Sequence, residues 1–171
     1  VLWLVLIVVV IRLVMTYLPQ LQGAPTSNGP ITGTARVIPG VTPDPRLSPG
    51  DVLTTDVNQI CTPGYTQTVR NVPSELKQQI YQEYGITRHK PGEYEIDHII
   101  SLELGGSNSS RNLFPQSFKL HPLNAHVKDE LENKLHELVC AGKLPIQQVQ
   151  QEIAQDWIGA YQKYVGPLPT N

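Results

Sequence analysis

One stretch constrains this chain more than any other: Tyr94-Glu-Ile-Asp-His-Ile-Ile-Ser-Leu-Glu-Leu-Gly-Gly-Ser-Asn-Ser-Ser-Arg-Asn-Leu-Phe114. Asp97 and His98 stand side by side inside an apolar run, with Ile96 before them and Ile99 and Ile100 after. Neighbouring side chains of a strand point to opposite faces, so a half-buried strand rarely carries two adjacent ionisable groups without a use for them. The run breaks at Gly105-Gly106-Ser107-Asn108, a strong turn signal. Asn112 then leads a second apolar piece, Leu113-Phe114. The pattern predicts strand, loop, strand, with Asp97, His98 and Asn112 gathered near the loop, and a helix rich in His, Lys and acidic residues from about Asn124.

The flanking sequence supplies the packing elements. Residues 52–60 hold a helical turn, and Cys61-Thr-Pro-Gly-Tyr65 reads as an irregular turn before a short extended piece at 66–69. Pro73-Ser74-Glu75 starts a helix, with Ser74 able to cap and Glu75 suited to the positive end of the dipole. Leu76, Ile80 and Tyr84 form its apolar stripe, and Gly85 stops it. The helix from about Leu123 to Cys140 carries Val127, Leu131, Leu135 and Leu138 on one face. A last helix begins at Leu144-Pro145, and Ile146, Val149, Ile153, Trp157 and Tyr161 recur along it at three- and four-residue steps, as a core-facing stripe does. The expected class is α+β: a small β-hairpin and helix with additional packing helices.

This order of parts resembles the HNH nuclease family, whose ββα-metal core is a β-hairpin followed by a helix that clamps one divalent ion. Asp97-His98, Gly105-Gly106-Ser107-Asn108 and Asn112-Leu113 carry the resemblance. Cys61-Thr-Pro-Gly-Tyr-Thr, the segment Asn124 to Glu132 and Val139-Cys-Ala-Gly142 are similar to an exported bacterial branch, so the likeness runs roughly from Val57 to Val165. The resemblance implies that His98 is the general base, that Asp97 binds metal, and that Asn112 orients His98. It leaves the helix-side ligand open among Asn124, His126 and His121. His121 stands at the common spacing from Asn112, but it precedes Pro122 and so belongs to the loop, which puts Asn124 and His126 ahead of it.

Phosphodiester hydrolysis needs an activated water and positive charge on the leaving oxygen. An imidazole with an ordinary pKa near 6.5 can take the proton from water at neutral pH. A carboxylate oxygen suits Mg²⁺, the first choice of cofactor; a His ligand admits Mn²⁺, Ni²⁺ or Zn²⁺. The implied partner is nucleic acid, with DNA ahead of RNA. The chain of 171 residues has only 13 Lys and Arg and a formal charge of −2, which argues against a broadly basic nucleic-acid-binding surface. A nuclease of this composition needs local phosphate contacts, for which Arg111, Lys128 and Arg88 are candidates.

Hydropathy and composition divide the chain into three: 1–19, a signal peptide or membrane anchor; 20–50, a flexible Pro/Gly/Ser/Thr-rich linker; and 51–171, the domain that the resemblance implies is nuclease-like. Residues 1–18 are almost wholly apolar, enough to span a bilayer at the lower limit of about 17 residues. Secretion or membrane attachment is therefore expected, and the resemblance to the exported branch implies a bacterial envelope. Cys61 and Cys140 are too few for a cysteine-rich zinc site, and in an oxidising compartment they suit one disulfide between the front of the domain and the Asn124 helix. The competing readings are a catalytically silent envelope binding module and a disulfide-stapled structural domain without a ligand.

Overall fold

The computed structural model describes residues 37–170, all within one compact unit. The apolar segment 1–18 and the linker as far as residue 36 lie outside the described residues. Among the described residues no helix is long and apolar enough to cross a membrane.

Helices and a two-stranded antiparallel hairpin make a small α+β fold. In chain order they are α1 (Val57–Ile60), α2 (Tyr65–Val69), α3 (Ser74–Glu83), β1 (Tyr94–His98), β2 (Leu113–Ser117), α4 (Ala125–Cys140) and α5 (Ile146–Tyr164). Tyr94 faces Ser117 across the ladder and His98 faces Leu113. Pro115 is tolerated opposite Ile96 because each strand of a two-stranded ribbon has a free edge. The extended piece expected at 66–69 is instead the short helix α2, which Gly64 opens at φ 85°. Pro73, not Ser74, occupies the cap position of α3, and Tyr81 leans on the hairpin with its hydroxyl 3.4 Å from the Tyr94 carbonyl.

The main core lies between α4 and α5. Val127, Leu131, Leu135 and Val139 meet Ile146, Val149, Ile153, Trp157 and Tyr161, with Ile60, Ile100, Leu104 and Val41 filling in around them. The α5 stripe is the one the three- and four-residue spacing predicts. In α4, Val139 and not Leu138 completes the buried row, since the step of four from Leu135 falls on it. A break that periodicity does not reveal interrupts α5 at Asp156, whose φ of −158° and ψ of 84° are extended. Its carboxylate accepts from Gly159 N at 3.0 Å, so Asp156 caps the second half of the helix.

Residues 37–50 correct the expected boundary of the linker. Val41 is core, and Trp157 Nε1 donates to its carbonyl at 2.9 Å. Ser48 Oγ donates to Leu113 O at 2.7 Å, and Gly50 N to Arg111 O at 2.9 Å. These few apolar and hydroxyl groups each find a specific partner in the domain, which composition averaged over the segment conceals. Cys61 and Cys140 are bonded, with Cα atoms 5.7 Å apart, and the bridge ties α1 to the end of α4.

Candidate active site

The residues between the strands form a stitched loop. Ile99 N donates to Asn112 O at 2.8 Å, continuing the ladder past His98. The Asn112 side chain is fully buried and every bonding position of its amide is used. Its Oδ1 accepts from Ile100 N at 3.0 Å and Asp51 N at 3.3 Å, while Nδ2 donates to Ile100 O at 2.9 Å and Ser107 O at 2.8 Å. Gly106 makes this closeness possible: a Cβ there would run into the Ile100 carbonyl and lie 2.8 Å from Asn112 Nδ2. The segment before α1 straps the loop from outside, with Ser107 Oγ donating to Asp51 Oδ2 at 2.6 Å. Asn112 therefore fixes the backbone that follows His98, and no bond runs from its side chain to the imidazole.

His98 ends β1, 4% exposed. Its Nε2 lies 3.2 Å from Asn108 Oδ1. Burial pushes its pKa below the ordinary histidine value; Asn108 and Asp97 oppose that shift, and the charges of Arg70 and Lys128 add to it. The ring is thus neutral at neutral pH, the form a general base needs. Arg70, just past α2, is an exposed cation whose charge reaches both His98 and Glu95.

Asp97 points the other way, as alternation along a strand requires. Its Oδ2 accepts from Lys128 Nζ at 2.7 Å. Lys128, placed among the phosphate-binding candidates by sequence, is 1% exposed and cannot fill that role. An ammonium has three protons, and here they go to Asp97 Oδ2, to His98 O at 2.7 Å and to Glu132 Oε1. Burial works against its charge, but the Asp97 and Glu132 carboxylates outweigh burial and raise its pKa. Lys128 is a bolt between α4 and the end of β1. Around it the carboxylates crowd: Glu95 is pushed up to about 7, first by burial and then by Asp97 and Asp129.

The helix-side candidates are engaged locally. Asn124 caps α4, its Oδ1 accepting from Val127 N at 3.3 Å, and its Nδ2 lies 3.4 Å from His121 Nδ1. His126 is 72% exposed in its side chain, 3.7 Å from Asp129 and 5.5 Å ring to ring from Phe118. No described contact joins Asp97 to Asn124, His126 or His121. Among the described residues no three His, Cys, Asp or Glu side chains group closely enough to hold a metal ion. The donor set at Asp97 is one carboxylate oxygen not bonded to Lys128. That fits Mg²⁺, which binds through one or two carboxylates and keeps its waters, better than Zn²⁺, which takes three or four protein ligands. Arg111 and Arg88 are both exposed, as phosphate contacts must be.

Asn108, Arg70, Glu95 and Glu132 are site residues that the sequence reading passed over. Asn108 sits in the Gly-Gly-Ser-Asn turn, where its residue type is fully explained by turn formation; its reach to His98 depends on where α2 packs. Compared with known protein families, curated proteins and solved structures, the chain matches none.

Proposed function

We propose that this protein is an HNH-type, ββα-metal endonuclease that hydrolyses phosphodiester bonds of nucleic acid, DNA ahead of RNA, with His98 as general base. One observation carries the reading: a buried imidazole at the end of the first strand of a hairpin, its Nε2 3.2 Å from Asn108 Oδ1 of the stitched loop, with Lys128 of α4 bonded to the carbonyl of the same residue. His98 takes the proton of the attacking water. Asn112 holds the loop backbone next to it, Lys128 pins the His98 carbonyl, and Arg70 together with Arg111 and Arg88 supplies positive charge for the phosphate. Asp97 would hold the divalent ion through its remaining carboxylate oxygen; when bound, that ion supplies charge stabilisation at the leaving oxygen.

The disulfide and the apolar residues 1–18 support a secreted or envelope-attached bacterial protein. The second reading, a catalytically silent envelope binding module, is favoured by one feature: Lys128 already neutralises Asp97 where a metal would otherwise be needed. Plasmid nicking and RNA cleavage by the purified, disulfide-bonded protein separate the two. Cleavage in Mg²⁺ or Mn²⁺ that EDTA abolishes supports the nuclease, and plasmid and RNA both left intact under every metal support the binding module.

A further inference from the structure

We propose that Asn108 is a positioning residue that holds His98 as the Nε2–H tautomer, so that Nδ1 is the nitrogen that accepts the proton. The inference rests on the reading of His98 as general base. It moves the orienting role from the second-strand asparagine, Asn112, to an asparagine of the loop.

A neutral imidazole has one N–H and one lone pair, and the partner of one nitrogen decides the task of the other. The partner of Nε2 is Asn108 Oδ1, at 3.2 Å. An amide can present either its oxygen or its NH₂, so the assignment depends on what holds the amide. Two backbone groups do. Asn108 Nδ2 donates to Val69 O at 2.7 Å, and Oδ1 accepts from Asn71 N at 3.2 Å. Turning the amide over would set NH₂ against the Asn71 N–H and oxygen against the Val69 carbonyl, losing both bonds and creating two repulsive contacts. The atom that faces Nε2 is therefore an acceptor, and Nε2 carries the hydrogen. Among the described residues nothing bonds Nδ1.

Val69 and Asn71 flank Arg70, so the peptide that locks Asn108 also carries the exposed cation whose charge reaches His98. The end of α2, the loop and β1 are joined through one side chain. Its removal frees the ring to rotate and the α2 end to move.

The test is ¹⁵N NMR of histidine-labelled full-length protein, at a pH where the ring is neutral, alongside cleavage rates. The wild type should show His98 with its proton on Nε2, in slow exchange because Asn108 covers it. Asn108→Ala should lose that slow exchange and cleave about ten- to a hundredfold more slowly. Asn108→Asp keeps an acceptor at Nε2 while setting an oxygen against the Val69 carbonyl; it should keep the protected proton on Nε2, and loss of that protection in a folded Asn108→Asp protein overturns the proposal. A wild-type proton on Nδ1, or equal protection of Nε2–H in Asn108→Ala, overturns the proposal. A proton on Nε2 in a protein that cleaves neither DNA nor RNA overturns the nuclease reading alone.

Discussion

Replacing Lys128 with Met keeps most of the buried stem and removes the charge with its three donated bonds. The wild-type ammonium is 1% exposed and lies 2.7 Å from both Asp97 Oδ2 and His98 O. Its loss leaves the Asp97 carboxylate without its counter-charge and Glu132 without its donor. Breaking one side of a buried ion pair costs about 3–5 kcal/mol, because the surviving charge stays desolvated. For a domain of this size that is a fall in Tm of roughly 10–20 °C. The exposed pair Lys134–Glu137, at 2.8 Å, provides the control: Lys134→Met should cost no more than about 0.5 kcal/mol. A compensating change sharpens the assay. Lys128→Met with Asp97→Asn removes both charges and should recover part of the loss. Thermal unfolding followed by circular dichroism reads all four proteins. A Lys128→Met protein that melts with the wild type but needs more substrate to reach half-maximal cleavage would show a phosphate-binding lysine and refute the buried bolt.

Three further outcomes follow from the same geometry. Glu95, with its folded pKa raised to about 7 from an ordinary 4.5, binds a proton in the folded state that the unfolded chain has released. Its contribution is therefore present below about pH 4.5 and lost as pH rises through 7; in EDTA, Glu95→Gln should raise Tm at pH 8 and leave it unchanged at pH 4.5, and an equal gain at both would refute the assignment. Reducing the Cys61–Cys140 bridge opens a loop with a sequence separation of 79, and loop-closure entropy puts the loss near 4 kcal/mol; denaturant midpoints with and without reductant check it. Asn124→Ala should cost about 1 kcal/mol as a lost helix cap and leave the Mg²⁺ midpoint of cleavage in place, whereas a shifted midpoint with unchanged Tm would put Asn124 at the metal.

The hairpin and the α4 and α5 helices were legible because each rests on local signals, apolar spacing and a glycine turn; the bonded cysteines were legible because there are only two. Asp97 and His98 stood out as candidates for a related reason, since adjacent ionisable groups in an apolar run are conspicuous, while their separate partners, Lys128 and Asn108, come from other elements. Lys128 was misread because helical periodicity gives its direction but not its depth; only the approach of β1 carries it out of solvent. Residues 37–50 were misread as linker because Val41, Trp157 and Ser48 find partners far away in sequence. Asn108 lies between these cases. Its place in the turn is local, and its hold on His98 belongs to the packing of α2.

The most direct measurement is the single-turnover cleavage rate of purified His98→Ala against wild type, in Mg²⁺, with melting temperatures taken on the same samples. Loss of a general base should slow cleavage by about 10²–10⁴-fold in a protein that stays folded at the assay temperature, with Tm lowered only by the loss of a ring that is 4% exposed and bonded to Asn108. Cleavage by His98→Ala at the wild-type rate would contradict the assignment of His98 as the base.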